Sequence, residues 1–329
     1  MNVLFTSVGR RVELVRAFRQ AFENLQLPGK TIAVDVNPLA PALQIADRPI
    51  IVPRLTSPDY IPTLIQICQS EQVDLIIPLI DPDLLMLARC REAIESVGTK
   101  VALVSSEAVT ITNDKWLTTQ FFRQLGFATP NSWLPGQLDP MSATYPLFIK
   151  PRHGSGSDHT FKVRNERELL FFSDYVPDPI IQEYLSGPEI TNDIICDLEG
   201  VVLAVTSRQR IEVRQGEVSK GFTMYNPVIT ESCVQIARAL PAIGPITVQC
   251  MMKNDMPHFT EINARFGGGV PLGIAAGVDS PRLLLARIAG LQIEIPPLDA
   301  YQVGLHMTRF DDSFFLPEEQ CRHVESYHF

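Results

Sequence analysis

Short β-branched runs alternate with helical patterns through the first hundred or so residues, and this alternation constrains the fold more than any other feature of the chain. Val3-Leu4-Phe5 precedes a 3.6-period stretch from Val12 to Leu25. Thr31-Ile32-Ala33-Val34, a helical Tyr60 to Ser70, Leu75-Ile76-Ile77, a helical Leu84 to Val97 and Val101-Ala102-Leu103-Val104 follow. Parallel strands need crossover connections, which helices supply, so the pattern predicts an α/β fold with a Rossmann-like parallel sheet at the N-terminus.

Such a sheet raises the question of a dinucleotide site, because Thr6-Ser7-Val8-Gly9-Arg10-Arg11 leads from the first strand into a helix and Asp35 ends the second. Only Gly9 stands where the fingerprint needs three glycines. A tight strand-to-helix turn is the plain reading. The functional one is an anion subsite for part of a second substrate, using helix N-terminal N–H groups and Arg10 or Arg11. A nicotinamide-dependent oxidoreductase is the rival reading of this lobe.

Composition narrows the partners. At 329 residues the chain is long enough for two or three lobes, and 45% apolar with 20% charged residues is ordinary for a globular protein. A net charge of −9 without a basic block argues against nucleic acid and anionic membranes. The short apolar run at Met1–Thr6 and the lack of a span of ~20 apolar residues predict a cytosolic, cytoplasmic location. Six cysteines, at 68, 90, 196, 233, 250 and 321, form no C-x-x-C pair and read as reduced, mostly buried thiols.

A new lobe is expected from about residue 109. There Asn113-Asp114-Lys115 opens a helix running to Leu125, and Pro130, Pro135, Pro140 and Pro146 then punctuate a loop-rich stretch. Mixed strands and helices follow, which makes this lobe α+β. The segment from Tyr301 to Phe329 shows no pattern.

Three stretches carry chemistry. In Phe259-Thr260-Glu261-Ile262-Asn263-Ala264-Arg265-Phe266-Gly267-Gly268-Gly269, strand alternation puts Glu261, Asn263 and Arg265 on one face. A carboxylate and an amide oxygen two residues apart suit magnesium, and Arg265 beside them suits phosphate. A turn at Lys253 to Pro257 would set Gln249 opposite Glu261. The alternative is an edge hairpin with a solvated polar face.

Phe148-Ile149-Lys150 closes an apolar strand before His153-Gly154-Ser155-Gly156-Ser157, whose small residues let backbone N–H groups approach phosphates while the lysine adds a point charge. The order is not that of a Walker loop, and a surface turn is the plain reading. Third, Ile180-Ile181-Gln182-Glu183-Tyr184-Leu185 ends at Ser186-Gly187-Pro188-Glu189, exposing backbone groups suited to an adenine edge, with Glu189 placed to meet ribose hydroxyls.

Taken in order, these motifs resemble those of the ATP-grasp superfamily from about Asn113 to Gly290, nearest to its carbamoyl-phosphate-synthase-like single-grasp ligases. The resemblance implies a pre-ATP-grasp domain over 1–108, an ATP-grasp domain over 109–300 with a lid at about 115–182, and a tail over 301–329. It implies ATP and Mg2+, with Mn2+ as a substitute. By the same resemblance Lys115, Lys150 and the Gly154, Ser155, Gly156, Ser157 loop meet the phosphates; Glu183, Tyr184 and Leu185 meet adenine, and Glu189 ribose. Gln249, Glu261 and Asn263 hold the metal, and Arg265, Arg210 and Lys220 serve the acyl phosphate. Asp158-His159 departs from the small residue many relatives carry there.

The implied reaction activates a small carboxylate as an acyl phosphate and joins it to an amine, with small molecules as partners and a homodimer left open. A regulatory protein that binds ATP without turnover is the other alternative. Asp81 and Asp83, flanking Pro82, read equally as turn residues or as an amine site. His258 and His306 read as ordinary strand residues.

Overall fold

The computed structural model describes residues 1–154, 156, 158–214 and 216–318, so Ser155, Ser157 and Cys321 lie outside the described residues. Five parallel strands form the first sheet: β1 (Asn2–Thr6), β2 (Lys30–Asp35), β3 (Arg48–Ile51), β4 (Leu75–Pro78) and β5 (Lys100–Val101), in the order β3-β2-β1-β4-β5. The expected Val101–Val104 strand pairs only through β5, and the β3 strand carries no alternation by which the sequence could announce it. Helix α1 (Val12–Leu25) buries Leu14, Val15, Phe18, Ala21 and Phe22, the i, i+3/i+4 stripe that docks it on the sheet. α2 (Tyr60–Ser70), α3 (Asp81–Arg89), α4 (Arg91–Glu95) and α5 (Ser106–Asn113) complete the lobe. The Leu84–Val97 helix expected from sequence is thus two helices, and the first begins at Asp81 because Pro82 suits a first turn.

No break marks residue 109, since α5 runs through it. Asp114 then caps α6 (Lys115–Gln124) by accepting from the N–H groups of Trp116 and Leu117. The antiparallel sheet β6 (Ser132–Trp133), β7 (Leu147–Pro151), β8 (Phe161–Val163) and β9 (Pro179–Glu183), ordered β6-β9-β7-β8, is covered by α7 (Glu166–Tyr175). Its core is small and separate: Leu147, Ile149, Val163, Leu169, Val176 and Ile181. α6 does not belong to that core, because Phe122 packs on Phe259 with ring centroids 5.5 Å apart. The separately packed unit therefore starts beyond Phe127, which also packs on Phe259.

The third sheet is also antiparallel, with β10 (Glu189–Cys196), β11 (Val202–Arg214), β12 (Glu217–Met224), β13 (Pro245–Lys253), β14 (Met256–Asn263) and β15 (His306–Thr308) in the order β14-β13-β10-β11-β12-β15. α8 (Pro227–Ala239), α9 (Val270–Ala275) and α10 (Ser280–Ile288) accompany it. Asn254 and Asp255 both take left-handed φ, at 50° and 59°, the two-residue turn that matches hairpin twist. That turn pairs Lys253 with Met256 and Cys250 with Phe259; a bulge between Gln249 and Cys250 then takes up one extra residue of β14, which brings Gln249 opposite Glu261 and Thr247 opposite Asn263. One buried cluster runs from Leu4, Ile32 and Ile76 of the first sheet through Phe122 to Ile194, Val248 and Phe259 of the third.

Among the described residues, no helix is long and apolar enough to cross a membrane. The five described cysteines are free thiols, and four of them are buried.

Candidate active site

A cleft of about 800 Å³ lies between the second and third sheets. Lys115, Lys150, Gly154, Gly156, Glu183, Tyr184, Leu185, Glu189, Arg210, Gln249, Glu261, Asn263 and Arg265 all line it. The residues expected from three distant stretches of sequence therefore share one cavity.

Lys150 ends the apolar part of β7 and is 7% exposed. Burial pushes its ammonium below the usual lysine range and Lys115 adds to that, while Glu261 and Glu189 hold it up. A buried cation with this balance is poised for an anion. Lys115 donates to the carbonyl of Gly154 at 2.6 Å, which anchors the small-residue loop to the start of α6. A second anchor is Arg152, which grips the Asp114 carboxylate at 2.5 and 3.2 Å. Burial opposes ionisation of Asp114, but Arg152 and the two capping amides prevail and hold it below the usual carboxylate range.

At the other end of the cleft, the N–H of Glu183 is already given to the carbonyl of Asn131 at 2.8 Å. Its carboxylate is held by Lys253 at 3.0 Å. Lys162 stands 3.9 Å over the Tyr184 ring. Glu189 accepts from Arg210 at 2.5 Å, so the two residues expected to meet ribose and acyl phosphate respectively touch each other.

Gln249, Glu261 and Asn263 offer one carboxylate and two amide oxygens on one strand-pair face. Glu261 has no hydrogen-bond or ion-pair partner among the described residues, although Lys150 lies close enough to feel its charge. A half-buried carboxylate in that position fits a hard divalent cation whose remaining ligands are phosphates and water.

Lys220 is not brought to this site. On β12 it stands opposite Glu212 of β11, bonds that carboxylate at 2.8 Å and is half exposed, a cross-strand charge pair on the outer face.

The cleft opens into a second cavity of about 220 Å³, with Gly156, Arg210, Gly216, Gln249, Asn263 and Arg265 lining both. Its far walls carry Arg11, Asp81, Arg208 and Glu217. Arg208 and Arg210 share a face of β11 by alternation, a signal present in the sequence for Arg208 as much as for Arg210. Arg208 bonds Asp193 at 2.7 Å, Arg11 pairs with Glu217 at 3.2 Å, and Arg309 reaches the same Glu217 at 3.2 Å. Burial lowers the pKa of Arg11 and Glu217 raises it, whereas Arg265 and Arg309 push it down again. Gly268 and Gly269 are required here: a Cβ on Gly269 would overlap the Arg208 guanidinium, and one on Gly268 would meet both Arg11 and Glu217 at 2.8 Å.

Asp81 and Asp83 separate into different roles. Asp81 lines the smaller cavity and forks onto Arg265 at 2.9 and 2.7 Å. Asp83 is fully buried, accepts from Thr6 at 2.6 Å and Ser7 at 3.1 Å, and lines neither of these two cavities. Among the histidines, His306 stacks on Phe222 and His258 bonds the backbone of Met256, as plain strand residues do.

Residues 112–269 match the family described as the ATP-grasp domain, and residues 3–102 match the PylC-like N-terminal domain. The chain carries an ATP-grasp domain behind a PylC-like N-terminal domain. It is 24% identical over 315 residues to a 3-methyl-D-ornithine–L-lysine ligase of Methanosarcina acetivorans, spanning 92% of this chain and 80% of that one. A carbamoyl-phosphate synthase of Methanobrevibacter smithii is 25% identical over 173 residues, half of this chain and 46% of that one. In fold the ATP-grasp chain is similar to biotin carboxylase from Campylobacter jejuni, at a TM-score of 0.72 and 18% identity, covering 93% of this chain and 74% of that one. It is also similar to the L-amino acid ligase from Bacillus licheniformis, at a TM-score of 0.66 and 20% identity over 87% and 73% of the two chains.

Proposed function

We propose that this ATP-grasp protein is an ADP-forming ligase that activates a small carboxylate as an acyl phosphate and joins it to an amine. ATP-dependent carboxylate–amine ligation is the activity its relatives support. The observation that carries the finer reading is the meeting of Lys150 and Glu261, which line a nucleotide-sized cleft, with Asn263 and Arg265, which line both that cleft and the smaller arginine-walled cavity.

Lys150 and Lys115 draw the triphosphate into the cleft, with its γ-phosphate toward the shared wall at Arg210 and Arg265. Gln249, Glu261 and Asn263 are the residues that would hold Mg2+, which when bound neutralises phosphate charge. A carboxylate in the smaller cavity attacks the γ-phosphorus in line, ADP leaves, and the acyl phosphate sits against Arg265. An amine then attacks the acyl carbon, inorganic phosphate departs, and a C–N bond is formed. Gly154 and Gly156, at the mouth of the cleft, allow close backbone cover that excludes water from an acyl phosphate prone to hydrolysis.

Two relatives are named as ligases of amino acids, and the smaller cavity, with both guanidinium and carboxylate walls, suits a substrate that carries both signs of charge. An amino acid is therefore the substrate class we assign to at least one of the two partners. Reduced thiols and a need for ATP favour the cytoplasm.

The test is a screen of amino acids and other carboxylates with MgATP and hydroxylamine, reading ADP and hydroxamate together. Equal appearance of both with one acid supports the assignment. ADP release that no carboxylate stimulates, with no hydroxamate, removes it.

A further inference from the structure

We infer that Asp81, in the PylC-like N-terminal domain, is the positioning residue for Arg265 at the reacting end of the site. The inference rests on the ligase reading only for what Arg265 finally touches; that Arg265 meets phosphate is enough for the test.

Arg265 is anchored at its backbone to the third sheet, where its carbonyl accepts from Thr247 at 3.1 Å and its N–H bonds the carbonyl of Asn263 at 2.9 Å. Its side chain is anchored elsewhere. Nε and Nη2 donate to the two oxygens of Asp81, and Nη1 donates to the carbonyl of Phe266 at 3.2 Å. A guanidinium has five N–H groups, so three bonds leave two, in a plane that can no longer rotate. Arg265 lines both cavities, and those two donors are what a transferring phosphoryl group can use. Both side chains are nearly dry, at 14% and 16% exposed, which keeps the fork strong.

A mere tether between lobes could sit anywhere along the interface. Two other ion pairs, Arg11–Glu217 and Glu13–Arg309, already cross it. Asp81 is the N-terminal carboxylate that grips Arg265, one of the two arginines that line both cavities. It stands in the first turn of α3, where a negative charge meets the positive end of the helix dipole. Pro82 at the helix start fixes the backbone of that first turn. The N-terminal domain is thus part of the catalytic geometry as well as a wall of the smaller cavity.

The experiment compares Asp81→Asn, Asp81→Glu and Asp81→Ala with the parent in the full chain. It measures calorimetric affinity for MgATP, kcat and KM for ATP from ADP release, and the melting temperature. An unguided arginine loses alignment, and misplacement of about 1 Å costs about a hundredfold. We expect kcat to fall about that far in Asp81→Asn, with KM for ATP and MgATP affinity within about threefold, and Asp81→Glu to recover at least tenfold. In an Arg265→Lys background Asp81→Asn should add less than threefold, because the pair acts as a unit. A kcat within threefold of the parent in Asp81→Asn overturns the inference. So does full additivity with Arg265→Lys, or a loss that Asp81→Glu fails to restore while the folds stay equally stable. The parent's dependence on an added carboxylate judges the ligase reading separately, since its ADP release reads Arg265 whichever acceptor takes the phosphoryl group.

Discussion

Lys150 shows how burial and chemistry combine in one side chain. An ammonium this dry is expensive in the absence of an anion, so its presence is explained by what enters the cleft. Lys150→Ala should therefore abolish ADP formation, by more than about a hundredfold, while leaving the melting temperature within a few degrees. Paired activity and calorimetry check it, and a variant with most of its turnover would count against the site. Asp83 tests the N-terminal domain in another way. Burial, opposed by hydrogen bonds from Thr6 and Ser7, raises its pKa from 3.8 to about 6. Between those values the folded chain keeps a proton that the unfolded chain has released, so stability falls as pH rises through the window, by up to about 3 kcal/mol. In Asp83→Asn that part of the pH dependence should vanish. Denaturant midpoints for both proteins from pH 4 to 7.5 decide it: parallel curves would refute the claim.

Elements were legible where period and punctuation agreed. α1 and α2 lie where the apolar stripe put them, and Gln249 stands opposite Glu261 because a bulge beside it takes up one residue of β14, which the tight Asn-Asp turn alone would not do. Place in the motif order does not locate Lys220, which pairing across β11–β12 turns toward Glu212. Arg208 carries the same alternation signal as Arg210, whereas Glu217 carries none, because its partner Arg11 is distant in sequence and only the assembled sheets bring the two together. Two predictions belong to elements. Gly269→Ala should cost about 1–3 kcal/mol through overlap with Arg208, read as a lowered denaturation midpoint, and should raise KM for the cavity's substrate more than KM for ATP. Asp114→Ala removes both a helix cap and the grip on Arg152, so a loss of about 1–2 kcal/mol is expected, with weaker ATP binding because Lys115 and Gly154 lose their shared frame. Unchanged stability and affinity would show that Arg152 is held by other means.

At the scale of the molecule, the packing divides the chain differently from its sequence motifs. The first and third sheets share one buried cluster, while the second sheet keeps six buried residues to itself. Amide hydrogens of residues 147–151 and 179–183 should exchange faster than those of 189–196 and 245–253, and saturating MgATP should slow the first set most. Uniform protection across both sheets would refute that division. The shared cluster also limits how such a protein can be re-engineered. Grafting a foreign N-terminal region to change what the enzyme joins would cut through a continuous hydrophobic interior and sever Asp81 from Arg265. The segment between Phe127 and Glu183 could instead be exchanged as a cassette, because its apolar contents travel with it.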